Sequence, residues 1–347
     1  MKKVLILFLF AACLIPGKVR SQQPDHEGSL VQWMTLTEAL KKNETQPKPI
    51  ILDFYTDWCG WCKHMMKTTY ADPNLSAYIN TYFYPAKFDA EGKDTIEYLG
   101  VKYYPTSAQP RSPHGLAIKL LQGRLSYPTT LFLNAYDKEK KEFKLNMLAA
   151  GYLETRKLEP ILIFTLENVF RNCNYDDFRE EYEKAFFDST LDLRLNDQMK
   201  WKSPKEYFTA VAKPESKKTI VYLNSDWCNA CKVMKRTSFI DSTVYPYLMK
   251  KYNLVDFNPE NMDSLYYKSQ LYTNPKNEST PLHQLAFLLS KGSINFPSVC
   301  ILDENQNILD VIPSYLPPTL LDDILHYYGD DINKVKSWQD FMASRKK

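Results

Sequence analysis

The chain carries one long sequence pattern twice, and this duplication constrains its fold more than any other feature. An offset of 169 positions, without a gap, places DWCGWCKHM at residues 57–65 on DWCNACKVM at residues 226–234. The same offset superposes further pairs along the chain: Phe88 on Phe257, His114 on His283, and Pro128 on Pro297. After a six-residue deletion the register returns, with Tyr152 on Tyr315. Two long copies predict two tandem domains rather than an array of short repeats.

The length and composition agree with two ordinary globular domains. A chain of 347 residues is long enough for two domains that each bury a core of their own. We predict a first domain at residues 28–188, a linker at 189–200 and a second domain at 201–347. Hydrophobic residues make up 44% and charged residues 24%, with a net charge of +3. This balance gives no indication of a nucleic-acid partner.

The N-terminus has the pattern of an export signal. Lys2 and Lys3 precede an apolar run at residues 4–15, and the small or medium residues Val19 and Ser21 follow it. About twelve apolar residues fall short of the roughly 20 that span a bilayer. We therefore predict a cleaved signal at residues 1–21 and a periplasmic or secreted protein; lipid anchoring through Cys13 is the alternative. In such a compartment, paired cysteines either exchange disulfides or form structural ones.

Each copy predicts the same order of elements. An opening helix precedes a strand that is apolar on both faces, IILDFY or TIVYLN, and the two cysteines then begin a helix. In the first copy we expect that helix to end at Pro73. About two dozen residues separate the next strand from a short helix, which is too long for a routine loop, and their alternating pattern predicts an inserted β-hairpin.

Two cysteines at the start of a helix form a plausible redox site. The free backbone N–H groups and the dipole of the helix stabilise a thiolate at the first cysteine. The second cysteine lies one turn away, so the two sulfurs can form and break a disulfide reversibly. Alternatives are a structural disulfide, or a zinc site that combines Cys59, Cys62, Cys228 and Cys231 across the domains; we predict no metal site.

The order strand, Trp-Cys-x-x-Cys, helix, strand, helix and Tyr-Pro-Thr strand resembles the thioredoxin family, and the resemblance covers nearly all of the mature chain, twice. It implies an α/β fold of two tandem thioredoxin folds, each a central mixed sheet flanked by helices, with the inserted hairpin before the cis-proline strand. It also implies that Pro128 and Pro297 have cis peptide bonds and face the cysteines. The expected cofactors are the redox-active disulfides alone.

The resemblance also implies roles for residues around each pair. Asp53, six positions before Cys59, matches the family's acid that helps to deprotonate the second cysteine, whereas the second copy has Tyr222 there. Lys87, expected beside that acid, is replaced by Asp256. A tyrosine is a poor base at neutral pH, so we predict the first domain to be the more competent. The expected substrate-binding residues are Trp58, Trp61, Tyr127 and Pro128 in the first domain, and Trp227, Phe296 and Pro297 in the second.

The predicted function is an exported disulfide reductase. Cys59 attacks a substrate disulfide and Cys62 resolves the mixed disulfide; Cys228 and Cys231 either pass electrons to the first pair, act on another partner or react slowly. The expected partners are exported proteins with disulfides or thiols and a membrane electron donor. A disulfide oxidase or isomerase is one alternative, and a protein-binding module with vestigial redox sites is another.

Four other residues have predicted structural roles. His114 and His283 stand at the same place in both copies, immediately before the short helix, and are expected to cap it. Cys173 and Cys300 are single cysteines that we expect to be buried as small apolar side chains.

Overall fold

The computed structural model describes residues 27–208, 217–260, 264–275 and 282–345. The predicted export signal at residues 1–21, including Cys13, lies outside these ranges.

The first copy is built on a five-stranded mixed sheet. Its strands lie in the order β1-β3-β2-β6-β7. β1, β3 and β2 run parallel, whereas β6 and β7 are each antiparallel to the strand before them in the sheet. The strands are β1 (Met34–Thr35), β2 (Ile50–Tyr55), β3 (Tyr84–Asp89), β6 (Thr129–Leu133) and β7 (Leu145–Ala150), and β4 (Ile96–Tyr98) and β5 (Val101–Tyr103) form a separate hairpin.

Helices cover both faces of this sheet. The helices of the first copy are α1 (Leu36–Thr45), α2 (Gly60–Lys67), α3 (Pro73–Tyr82), α4 (Gly115–Leu120), α5 (Thr155–Leu166) and α6 (Tyr175–Phe187). All six residues of β2 are buried, because apolar side chains from α1 and α4 pack on one face and those from α2, α3 and α5 on the other.

The second copy repeats this architecture. After α7 (Arg194–Gln198), its helices are α8 (Pro204–Phe208), α9 (Asn229–Arg236), α10 (Val244–Lys251), α11 (Gln284–Leu289), α12 (Pro318–Gly329) and α13 (Trp338–Arg345). The strands of its sheet are β8 (Trp201–Lys202), β9 (Lys218–Leu223), β10 (Tyr252–Phe257), β13 (Ser298–Leu302) and β14 (Ile308–Pro313). They lie in the order β14-β13-β9-β10-β8. A separate hairpin consists of β11 (Leu265–Tyr267) and β12 (Gln270–Tyr272). The predicted fold, two tandem α/β domains with inserted hairpins, is confirmed.

The helix pattern after the first cysteines differs from the expectation. α2 ends at Lys67, a single 3₁₀ turn follows at Thr69–Ala71, and Pro73 begins α3 instead of ending the cysteine helix. The reason is local: Asp72 accepts the N–H of Leu75 as the N-cap, and proline is well suited to the first position of a helix, where its missing N–H costs nothing.

The two copies share a continuous hydrophobic core at their junction. Phe178, Tyr182 and Ala185 of α6 are buried in one cluster with residues of α9 and β9 in the second copy. The Phe178 ring also lies edge-on to Tyr315, with ring centroids 5.2 Å apart. The closing helix of the first copy therefore packs against the second, and the domain boundaries given above stay a prediction.

Candidate active sites at the two cysteine pairs

The first cysteine pair lies where β2 ends and α2 begins. Cys59 is the N-cap of α2, and its Sγ accepts the backbone N–H of Cys62 at 3.1 Å. The two residues form a disulfide. The sulfur of Cys59 therefore occupies the position at which the free N–H groups of a helix stabilise a thiolate after reduction.

Aromatic side chains surround this disulfide and are open to solvent. Trp58 is 55% exposed and Trp61 is 61% exposed. Tyr127 packs against the cysteines and lies edge-on to Trp58, with ring centroids 6.2 Å apart. The Tyr127–Pro128 peptide bond is cis, as is Phe296–Pro297 in the second copy, which confirms that expectation. Trp58 and Trp61, with the half-buried Tyr127, form an apolar rim beside the first pair.

Asp53 is buried beneath the first pair. The strand register places it between Lys87 on β3 and Thr130 on β6. The Thr130 hydroxyl donates to Asp53 Oδ1 at 3.1 Å, and Lys87 Nζ lies 3.7 Å from Oδ2. Burial raises the pKa of Asp53 to about 6, against the opposing effects of the Lys87 charge and the Thr130 hydrogen bond. The carboxyl group can therefore accept or release a proton near neutral pH.

A small cavity connects this buried pair with the second cysteine. It has a volume of about 230 Å³ and is lined by both Cys62 and Lys87, together with Tyr55 and Met66. A space of this size accommodates several water molecules. The cavity therefore extends from Cys62 to Lys87, the ion-pair partner of Asp53, while Asp53 itself lies outside its lining.

The raised pKa predicts a pH-dependent stability of the first domain. The folded state holds a proton on Asp53 up to about pH 6, whereas an unfolded aspartate loses it near pH 4. The stabilising contribution is therefore complete at low pH and declines as the pH rises through 6, by about 1 kcal/mol between pH 5 and 7. Denaturant unfolding at both pH values should show that loss relative to Asp53→Asn; parallel pH profiles of the two proteins would contradict it.

The second cysteine pair has the same backbone arrangement as the first, but different side chains are buried beneath it. Cys228 caps α9, its Sγ accepts the N–H of Cys231 at 3.1 Å, and the two form a disulfide. Tyr222 takes the place of Asp53 and donates its hydroxyl to the carbonyl of Cys231 at 3.1 Å. Burial raises the pKa of Tyr222 well above its ordinary value, so it stays neutral. Asp256 instead pairs with Lys235 at 2.6 Å.

The first copy covers the second pair. Cys228 is 0% exposed and Cys59 is 4% exposed, but the two segments differ beside them: Ala230 is fully buried, whereas Gly60 and Trp61 are exposed. The cover comes from Glu167, immediately after α5, whose Oε2 lies 3.3 Å from Cys228 Sγ. Tyr82 at the end of α3 stacks on Trp227, with ring centroids 5.4 Å apart. The sequence analysis identified neither Glu167 nor Tyr82.

The remaining single-residue expectations agree with the structure. His114 and His283 each accept, through Nδ1, a backbone N–H of the short helix that follows, from Leu116 and Leu285. Cys173 and Cys300 are free and buried. Within the described ranges, all four cysteines proposed for a shared zinc site are instead joined in two disulfides.

Comparisons with known proteins agree with the geometry of the first site. A family model described as Thioredox_DsbH, "Protein of unknown function, DUF255", matches residues 22–154, a range that contains the first cysteine pair and Asp53. The thiol:disulfide interchange protein DsbD of Photorhabdus laumondii is 31% identical over 97 residues, 26% of this chain and 16% of that protein. DsbD of Escherichia coli O6:K15:H31 is 29% identical over 118 residues, 30% of this chain and 21% of that protein.

These matches are partial. The chain spans less than a quarter of the length of these two relatives. Among solved structures, a thioredoxin from Thermus thermophilus is 16% identical, with a TM-score of 0.29, over 38% of this chain and 84% of that protein. No helix in the described part of this chain is long and apolar enough to cross a membrane.

The sheet order, the cysteine pair at a helix N-terminus and the opposing cis-proline recur in both copies, and the family model covers the first of them. The first copy therefore matches the Thioredox_DsbH family model, and the chain consists of two tandem domains of one α/β fold, each carrying a Cys-x-x-Cys disulfide.

Proposed function

We propose that this protein is an exported thiol-disulfide oxidoreductase that reduces disulfide bonds in other proteins at its first cysteine pair. The observation that carries the proposal is the Cys59–Cys62 disulfide, which lies at a helix N-terminus between the exposed rings of Trp58 and Trp61 and above a buried acid of raised pKa. The names of the DsbD relatives support thiol-disulfide exchange as the reaction. Export is supported by the N-terminal pattern at residues 1–21.

The proposed reaction begins at Cys59. Its thiolate attacks one sulfur of a substrate disulfide, so a mixed disulfide forms and the other substrate sulfur leaves as a thiolate. The edge formed by Tyr127 and Pro128 lies beside Cys59 and can hold an extended substrate chain. The substrate is only half reduced at this stage, because one of its two sulfurs is still bound to Cys59.

Cys62 completes the reaction. Asp53 accepts the proton of the Cys62 thiol by way of water in the cavity that Cys62 and Lys87 line, and the Cys62 thiolate attacks Cys59. The Cys59–Cys62 disulfide forms again, and the second substrate sulfur leaves reduced. A dithiol donor must then return two electrons to the pair; the expected donor in the membrane stays a prediction. Asp53 assists this step in both directions, so the reduction potentials of the pair and its partners set the direction, and reduction of the substrate is the direction that we propose.

Insulin reduction by the full chain, driven by dithiothreitol, tests this function. The expected result is precipitation of the insulin B chain much faster than with dithiothreitol alone. A rate equal to that of dithiothreitol alone would instead favour the alternative, a protein-binding module with vestigial redox sites. Oxidative refolding of a reduced protein, measured in parallel, separates the oxidase and isomerase alternatives.

The aromatic rim predicts a specific effect on substrate affinity. Trp61→Ala removes the most exposed ring beside the first pair, so KM for a protein substrate should rise at least about fivefold while kcat stays within twofold, because an exposed tryptophan anchor commonly contributes 1 kcal/mol or more to binding. Tyr266→Ala, which removes an exposed ring from the hairpin of the second domain, is the matched control. Equal KM values for all three proteins would exclude the rim as the substrate surface.

A further inference from the structure

The second cysteine pair is in contact with a carboxyl group from the other domain. Glu167 is only 3% exposed. It accepts the backbone N–H of Asn229 at 2.9 Å and that of Ala230 at 2.6 Å, and one of its oxygens lies 3.3 Å from Cys228 Sγ. The hydroxyl of Tyr78 donates to it at 3.2 Å. The first domain thus places a hydrogen-bonded carboxyl group directly on a redox-active sulfur of the second.

This contact uses the same donors that a thiolate needs. The N–H groups of Asn229 and Ala230 lie in the first turn of α9, where they have no acceptor within the helix, and they donate to Glu167 instead. N–H groups in this position stabilise the thiolate of the capping cysteine. While the disulfide is intact, Cys228 is uncharged and is compatible with a neighbouring carboxylate. After reduction, a Cys228 thiolate and the Glu167 carboxylate would be two like charges in one buried site, which is unfavourable.

The second copy shows that the contact is not a general property of this fold. In the repeat register, Asp330 takes the position of Glu167 and Lys251 that of Tyr82. Asp330 forms an ion pair with Lys251 at 2.8 Å, on the same repeat. The first copy has a tyrosine where that lysine stands, and its carboxyl group is directed at the cysteine pair of the other domain. Asp330 therefore pairs with a lysine of its own repeat, whereas Glu167 contacts a sulfur of the other domain.

We propose that Glu167 is a functional residue of the second cysteine pair, which keeps the Cys228–Cys231 disulfide closed and disfavours its reduction unless a proton is retained at the contact between Cys228 and Glu167. The electron donor is a dithiol, which becomes a disulfide as it breaks the Cys228–Cys231 bond. One of its two protons protonates Cys231, and the other stays at the contact between Cys228 Sγ and the Glu167 carboxyl group, so that the two groups are not negatively charged together. The proposal does not depend on turnover at the first pair.

The other groups that face Glu167 have clear charges near neutral pH. Tyr78, Tyr82 and Tyr222 have pKa values raised by burial and stay neutral. Lys232 lowers the pKa of Glu167, whereas Glu260, beyond Trp227, and Glu159, near Tyr78, add negative charge to the surroundings. Burial raises the pKa of Glu167 to about 7. The obstacle to reduction should therefore be small below pH 6 and should grow as the pH rises above 7.

The test isolates the second pair in the full-length chain. With Cys59→Ser and Cys62→Ser in place, the protein is equilibrated with mixtures of reduced and oxidised dithiothreitol, and the reduced fraction of the second pair is measured by alkylation and mass spectrometry. Glu167→Gln should increase the equilibrium constant for reduction about tenfold at pH 8, and the difference should shrink towards unity at pH 6. Glu154→Gln, which removes an exposed carboxylate just before α5, should match the parent.

The proposal is overturned if Glu167→Gln changes the equilibrium constant at pH 8 by less than twofold. A second measurement needs no substitution and so does not depend on the folding of a variant. After complete reduction of the natural chain, Cys228 should react with iodoacetamide at pH 8 at least about tenfold more slowly than Cys59, because the carboxylate disfavours its thiolate. Equal alkylation rates would also refute the proposal. Since both readouts are independent of protein substrates, they do not depend on the proposed reductase activity.

Discussion

Cys59→Ser should lower the rate of insulin reduction at least about a hundredfold, to the level of dithiothreitol alone. The reason is that Cys59 is the cysteine of the first pair that lies at the helix N-terminus, next to the exposed side chains of Trp58 and Trp61. Cys228→Ser should keep at least half of the activity, because Cys228 is covered by Glu167 and is inaccessible to a folded partner. The measurement is the initial rate of insulin precipitation at equal protein concentrations.

The paired comparison contains its own control, since both variants replace the N-cap cysteine of the same motif by serine. Serine is also a good N-cap, so neither helix loses its capping hydrogen bond. Equal loss of activity in the two variants would show that electrons must pass through both pairs, and would contradict the assignment of turnover to the first domain alone.

Asp53→Asn should slow the release of substrate from the mixed disulfide at least about tenfold at pH 7. General base catalysis typically contributes a factor of 10² to 10⁴, and asparagine cannot accept the Cys62 proton. In the parent protein this rate should rise as the pH increases through about 6, where Asp53 ionises. The pH–rate profile of the variant should lack that rise. Stopped-flow observation of tryptophan fluorescence after mixing reduced protein with a disulfide substrate measures the step, because Trp58 and Trp61 lie beside the disulfide.

Thr130→Val is the matched control for this second prediction. It keeps the carboxyl group but removes the hydrogen bond that the Thr130 hydroxyl donates to Asp53 Oδ1. Because that bond lowers the pKa of Asp53, its loss should move the pH limb upwards without abolishing it. Identical pH profiles for the parent and both variants would remove Asp53 from the proton transfer.

Much of the fold could be predicted because its signals are local and occur twice. The apolar run of β2, the cysteine pair after it and the Tyr-Pro-Thr segment each determine the structure of a few neighbouring residues. The register between the copies then supported the inserted hairpins and the capping roles of His114 and His283, because chance would not place them twice. Pro73 was misinterpreted because proline both ends one helix and begins another, and only the Asp72 cap decides between the two.

The covering of the second site could not be predicted from local pattern. Glu167 lies at the end of a helix with no unusual sequence pattern. Its contact with Cys228 depends on how the two domains pack, and a short segment of sequence does not indicate that packing. A signal was nevertheless present in the register: Asp330 has Lys251 as its partner, whereas the equivalent of that lysine is Tyr82. An acid that lacks the cation of its own repeat is a candidate for a contact with another domain. The burial of α6 against the second domain was missed for the same reason.

We infer that the first pair reacts with protein substrates and that the second pair is closed to them. Trapping the mixed disulfide distinguishes the two pairs. Cys62→Ser and Cys231→Ser each remove the resolving cysteine of one pair, so a substrate that reacts at the remaining N-cap cysteine of that pair stays attached. Both variants are reduced and mixed with a disulfide-containing protein at pH 7, and adducts are identified by peptide mass spectrometry. We expect a stable adduct at Cys59 in the first variant and none at Cys228 in the second. Adducts of equal yield at Cys59 and Cys228 would contradict this inference.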